Sequence, residues 1–111
     1  DIYSGNDNEI VPMLALGAKG VISVLSNVAP KEAHDICDQW FKGNVEESKN
    51  LQLKYLELAN TMFIDVNPIP VKEALNQIGW NMGDCRLPLY EMDDAGKQRV
   101  HDVLVKYGLL K

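Results

Sequence analysis

The chain has little of several features that mark particular protein classes. It has no run of Lys or Arg, and its formal net charge is −5, so we expect no nucleic-acid partner. It also has no signal-peptide pattern and no apolar run long enough to cross a bilayer. With only two cysteines, Cys37 and Cys85, placed far apart, the pattern is typical of reduced thiols. We therefore expect a cytoplasmic protein with no membrane partner.

Patterns for cofactors and metals are equally sparse. Gly17 and Gly20 are too few to form a phosphate-binding loop, although Ser4-Gly5 before a helix could bind phosphate. His34 and Cys37 have a spacing that can bind a metal, but a zinc site would also need Cys85 and His101. That spacing matches no known ligand pattern. No metal, no cofactor and no catalytic residue is predicted within this chain.

The first part of the chain has the pattern of a strand, a helix and a second strand. Residues 1–4 end a strand, and Gly5 and Asn6 are expected to supply the positive φ angles of the following turn. Asp7 or Asn8 is expected to cap a helix that stops at Gly17. Residues 20–25 are short, β-branched and almost wholly apolar, which is typical of a strand covered on both faces.

The rest of the chain has the pattern of helices. Pro30 is expected to begin a helix that Gly43-Asn44 ends, and a long helix is predicted from about Val45 to Phe63. An extended stretch at 67–70, a helix from Pro70 to Gly79, a loop at 81–91 and a last helix between Asp93 and Gly108 follow.

This pattern predicts an α/β fold that two strands cannot complete alone, because strands apolar on both faces need neighbours. The simplest completion is the C-terminal portion of a (β/α)₈ TIM barrel. Residues 1–43 would then be the last two β/α units, and residues 44–111 a C-terminal helical domain. Pairing with another copy of the chain through the strands is the alternative.

Four short motifs that occur in a fixed order along the chain point to one protein family. The chain resembles the C-terminal part of the dihydrodipicolinate synthase family over essentially all 111 residues, through Tyr3-Ser4-Gly5-Asn6-Asp7, residues 20–28, Asn67-Pro68-Ile69-Pro70-Val71-Lys72, and Arg86-Leu87-Pro88 before the final helix.

The resemblance implies a Schiff-base lyase, usually a homotetramer, that condenses pyruvate with aspartate semialdehyde on the route to lysine through diaminopimelate. In that family pyruvate binds a lysine on the sixth barrel strand, and the proton relay and the arginine that holds the second substrate are also upstream of the matched part. A Schiff-base lysine needs a depressed pKa. Lys19 precedes a strand, and the remaining lysines lie on predicted helices, helix ends or the terminus. This chain alone is therefore expected to be inactive, and to need either the N-terminal part of the barrel or another copy.

Three substrate-binding positions are carried over from the resemblance. Gly5 matches the family glycine whose backbone lies against pyruvate, Ile22 matches a residue that walls the same pocket, and Asn67 matches an asparagine at the mouth of the site. Asn6 stands where many relatives have aspartate, so a carboxylate role there is in doubt. Read without the family, Gly5 is a turn glycine, Ile22 is barrel core and Asn67 is a turn residue.

Two other hypotheses stay open. The first is another pyruvate-dependent aldolase, such as a sialic acid or keto-deoxy sugar acid lyase. The second is a non-catalytic helical interaction module, which predicts a stable monomer that needs no further chain.

Overall fold

The computed structural model describes residues 1–111 and is built from six α-helices and two short 3₁₀ helices. The α-helices are α1 (Ile10–Ala15), α2 (Pro30–Phe41), α3 (Val45–Lys54), α4 (Leu56–Thr61), α5 (Ile69–Ile78) and α6 (Asp94–Lys106), and the 3₁₀ helices are Asp7–Glu9 and Leu25–Asn27. None of these helices combines the length and the apolar character that crossing a membrane requires.

The two predicted strands are reduced to a single parallel β-bridge between Ser4 and Val21. The backbone of Ser4 donates to Gly20 O at 2.9 Å and accepts from Ile22 N at 2.8 Å. The prediction of a strand to Leu25 is wrong, because Val24 already has helical angles (φ −80°, ψ −40°) and the chain enters the 3₁₀ helix. Ile22 is 71% exposed, so no part of this chain supplies the cover that the sequence pattern predicts for it.

The predicted long helix is broken at Tyr55 into α3 and α4. Tyr55 leaves the helical region (φ −96°, ψ 7°), and its ring packs on the Tyr107 ring with centroids 5.9 Å apart. The Tyr107 hydroxyl donates to the backbone oxygen of Lys54 at 2.8 Å, which accepts at the end of α3. Helical periodicity runs through the break, so the sequence pattern does not show it.

The segment before α5 is a turn with a cis Asn67–Pro68 bond, so the predicted extended stretch at 67–70 is wrong. Ile69 is already helical, and α5 ends at Gly79, whose φ of 106° is the left-handed conformation expected of a terminating glycine.

The loop at 81–91 has no helix or strand, as predicted. Asp93 caps α6 as predicted, accepting from Gly96 N at 2.7 Å.

Two apolar clusters hold these elements together. The smaller one joins Ile10 and Leu14 of α1 to Ile36 of α2. The larger one contains residues from both sides of position 43: Leu25, Val28, Ala29, Ala33, Leu58, Ala59, Met62, Ile69, Val71, Ala74, Leu75, Met92, Val100, Val103 and Leu104. Val21, one of the two bridged residues, packs against the smaller cluster, so the bridge rests on α1 and α2.

Candidate functional site

Gly5 and Ile22 are brought together by the bridge. Each directly follows a bridged residue, Ser4 or Val21, and the two segments run parallel. The carboxyl ends of parallel segments meet at one edge, which is where (β/α)₈ barrels carry their sites. The two predicted pocket residues therefore lie side by side at that edge.

Gly5 faces open space. A Cβ atom added there would meet no atom within 4 Å. The expectation that Gly5 and Asn6 supply positive φ angles is wrong, since Gly5 is not among the positive-φ residues and Asn6 is extended at φ −126°. The free volume above Gly5, rather than its backbone angle, is what a side chain would remove.

Asn67 lies in the turn before α5, away from the bridge in sequence, and its side chain is exposed. It makes no hydrogen bond within the chain. The structure thus joins Gly5 and Ile22 through adjacent backbone, while no hydrogen bond joins Asn67 to either.

Asp7 is the buried charged residue beside these two positions, and only 2% of it is exposed. Its carboxylate accepts from the backbone N–H groups of Val24 and Leu25, both at 2.9 Å, and from the Ser23 hydroxyl. It makes no capping hydrogen bond to its own helix, so the capping role predicted for Asp7 or Asn8 is wrong. Asp7 instead ties the segment after Gly5 to the segment after Ile22.

Gln52 of α3 holds the same segment from the other side. Its Nε2 donates to the Asp7 backbone oxygen at 2.9 Å, and its Oε1 accepts from Val11 N at 3.0 Å. The side chain is buried, with 6% exposed. One helix of the second part of the chain is thereby fixed to the loop that carries Gly5.

A groove of about 280 Å³ runs between this loop and α4. Asn6, Asn8 and Glu9 line one side, and Ala59, Asn60 and Phe63 line the other. Asn8 Nδ2 donates to Asn60 Oδ1 at 3.2 Å across it. The walls combine the amides of the three asparagines and the acidic Asp7 and Glu9 with the apolar Ala59 and Phe63.

Sequence analysis missed Asp7 as a link and Gln52 altogether. The signal for Gln52 was its spacing from Ser48, since two polar residues at i, i+4 on the inward face of a helix need buried partners. Ser48 is fully buried and donates to Ile36 O at 2.6 Å.

The reactive side chains elsewhere do not gather. No group of three His, Cys, Asp or Glu residues has the arrangement of a metal site. Cys37 and Cys85 are free thiols packed against different apolar clusters. Burial raises the pKa of the Cys37 thiol above its usual range.

Comparison with known proteins gives a consistent result. The model of the dihydrodipicolinate synthetase family matches residues 1–107. The 4-hydroxy-tetrahydrodipicolinate synthase of Clostridium perfringens (strain SM101) is 56% identical over 110 residues, which is 99% of this chain and 38% of that protein. The synthase of Brachyspira hyodysenteriae is 50% identical over 111 residues, again 38% of its length.

Solved structures agree with these sequences. The crystal structure of dihydrodipicolinate synthase from Thermotoga maritima matches with a TM-score of 0.95 and 42% identity, covering 97% of this chain and 37% of that one. The enzyme from Aquifex aeolicus matches with a TM-score of 0.95 and 38% identity, covering 98% and 37%. The chain thus spans well under half the length of the relatives that it matches.

Proposed function

The chain belongs to the dihydrodipicolinate synthetase family, and on that premise we propose that it is the C-terminal part of a Schiff-base lyase that condenses pyruvate with aspartate semialdehyde. The observation that carries this proposal is the 56% identity to a 4-hydroxy-tetrahydrodipicolinate synthase over almost the whole chain. The reaction serves lysine biosynthesis through diaminopimelate, and we expect the enzyme to work in the cytoplasm.

In this proposal the chain supplies one wall of the pyruvate pocket. The open space above Gly5 leaves room for the flat pyruvate skeleton against the backbone, where any side chain would intrude. Ile22 lies beside it with its side chain free to contact a ligand or the rest of the protein. Asn67 would reach the second substrate from the helical domain (residues 44–111), while residues 1–43 would close the barrel.

The nucleophile would come from outside the chain. A Schiff-base lysine works when burial or a neighbouring cation lowers its pKa. No lysine here is fully buried. Hydrogen bonds from Lys31 to Asp35, Lys97 to Glu91 and Lys106 to Glu57 raise the pKa of each lysine. Raised pKa values keep these three amines protonated and unreactive, and because no lysine of the chain is buried, the isolated chain is proposed to form no imine.

The rest of the barrel would cover the bridged segments, on which Ile2, Tyr3 and Ile22 are exposed by 66%, 50% and 71%. Burial of such side chains is favourable by about 25 cal/mol per Å² of apolar area. A second copy of the chain could bury the same segments. The complete enzyme is proposed to be a homotetramer.

An imine-trapping experiment tests this proposal. We define the composite enzyme as this chain joined to the part of the Clostridium perfringens synthase that precedes the matched segment. Treatment with pyruvate and borohydride should fix one reduced pyruvate adduct, which peptide mass spectrometry should place on a lysine outside residues 1–111. The unaltered Clostridium perfringens enzyme is the positive control, and this chain alone should gain no mass.

Three results would count against the proposal in different ways. An adduct on a lysine of this chain would mean that the nucleophile has been misplaced. No adduct on the composite enzyme, with a normal adduct on the control, would favour the non-catalytic helical module. An adduct followed by turnover of a sugar aldehyde in preference to aspartate semialdehyde would indicate a sialic acid or keto-deoxy sugar acid lyase.

A further inference from the structure

The backbone hydrogen bonding between the two segments stops at Ile22. Three bonds join them, from Lys19 N to Ile2 O, from Ser4 N to Gly20 O and from Ile22 N to Ser4 O, and beyond Ile22 the chain turns into a 3₁₀ helix. A longer strand ladder would continue these bonds past Gly5 and Ile22. Something other than the ladder must therefore set the separation of the two segments beyond the bridge.

We propose that Asp7 and Gln52 are positioning residues that fix Gly5 against Ile22 and so set the shape of the pyruvate pocket. The inference rests on the proposed function, because it assigns these residues a role at the same site. Neither residue is proposed to touch pyruvate.

The hydrogen bonds of Asp7 fit this role, and they occupy most of the acceptor sites of its carboxylate. Two backbone N–H groups and one hydroxyl, all within three residues of Ile22, point at its carboxylate. Hydrogen bonds to a charged acceptor are among the stronger ones in proteins, and burial strengthens them further. Because Asp7 is also two residues from Gly5, a single side chain spans the edge of the site.

Gln52 fixes Asp7 in turn. Its amide bonds the Asp7 backbone oxygen and the Val11 N–H, so α3 is held to the start of the 3₁₀ helix that carries Asp7 and to the first turn of α1. A buried amide whose donor and acceptor are both used has one favourable placement. A shift of α3 should therefore move the loop that follows Gly5.

The composite enzyme offers two matched pairs of variants. Gln52→Met keeps the length of the side chain and removes both bonds to the loop, while Ser48→Ala removes a buried bond from the same helix to α2. Ser23→Ala removes one donor to Asp7 and also the acceptor of the Ser26 N–H, while its neighbour control Ser26→Ala removes a bond to the Ser23 backbone oxygen. The small serine variants keep the test available if Gln52→Met does not fold.

We expect the KM for pyruvate to rise about tenfold in Gln52→Met, since misplacement by a fraction of an ångström weakens binding and orientation steeply. Ser23→Ala should raise it in the same direction by about threefold. The KM for aspartate semialdehyde should stay within about twofold, and both control variants should match the unsubstituted enzyme. Amide hydrogen exchange should also quicken in the peptide that contains Val24 and Leu25, in the two test variants and not in the controls.

The outcomes separate this inference from the function on which it rests. If the unsubstituted composite enzyme traps pyruvate but the test variants differ from their controls in neither pyruvate KM nor exchange, the positioning role is overturned and the proposed function stands. If the unsubstituted enzyme traps no pyruvate, the proposed function is overturned and the pocket role of Asp7 and Gln52 falls with it.

Discussion

Gly96, in the first turn of α6, shows how closely packed a single position can be. A Cβ added there would lie 2.5 Å from Met92 Cγ and 2.8 Å from Met92 Sδ, and Met92 is buried in the larger cluster. In an open helix Gly→Ala adds about 1 kcal/mol of stability. Here the added methyl group would lower the stability instead, because overpacking a core costs about 1–3 kcal/mol.

We therefore expect Gly96→Ala to lower the free energy of unfolding by about 1 kcal/mol. Chemical denaturation followed by circular dichroism measures it. Gly96→Ala combined with Met92→Ala is the matched control, and in that background the same substitution should stabilise. A single Gly96→Ala variant more stable than the parent would show that Met92 moves aside at no cost.

At the scale of elements, the contact between α4 and α6 includes a pair of ionic bonds from one carboxylate. Glu57 accepts from Arg99 Nη2 at 3.0 Å and from Lys106 Nζ. The Lys106 hydrogen bond is the main cause that holds the pKa of Glu57 below its usual 4.5, against a smaller opposing effect of desolvation. A group whose pKa is lower in the folded state stabilises the fold above its unfolded pKa and loses that effect as the pH falls through the folded pKa.

Replacing Glu57 with Gln should therefore lower Tm at neutral pH by a small amount, because the side chain keeps 32% of its area exposed and exposed ion pairs are screened. The difference in Tm from the parent should shrink as the pH falls below 4.5 and should also shrink in high salt. Glu46→Gln, which breaks an exposed pair with Lys49 inside α3, is the control. A difference that grows in acid would contradict the assignment.

For the whole molecule, three exposed apolar side chains on the bridged segments, Ile2, Tyr3 and Ile22, decide how the isolated chain behaves. Exposed apolar surface promotes association. We expect the 12.4 kDa chain to elute above its monomer mass, increasingly so at higher concentration. Light scattering coupled to size-exclusion chromatography measures this.

Ile22→Ser should shift the isolated chain toward monomer, whereas Leu87→Ser should leave it unchanged. Leu87 is the matched control because it is still more exposed, at 90%, but lies in the loop at 81–91. A chain that is monomeric at every concentration, with an ordered Ser4–Val21 bridge, would instead support the helical interaction module.

Sequence signals at helix ends correctly predicted where α5 and α6 end and how α6 is capped. Gly79 and Gly108 end α5 and α6 with φ angles of 106° and 72°, and Asp93 caps α6, because these effects depend only on residues within a turn of each other. The family was also predicted from sequence, through four motifs in order, and the matched model confirms it. The roles of Gly5, Ile22 and Asn67 in binding substrate stay predictions.

The sequence by itself determined the family, the ends of the last two helices of the chain, and which residue types, Gly5 and Ile22, follow the bridged residues. The tertiary structure alone decided the break at Tyr55, the brevity of the strand pairing and the link from Gln52 through Asp7 to Leu25. The break and the link depend on partners far away in the chain: Tyr107 for the break, and α3 for the loop after Gly5. Periodicity reports which face of an element is apolar, but a contact across 45 residues is fixed only when packing brings its two sides together.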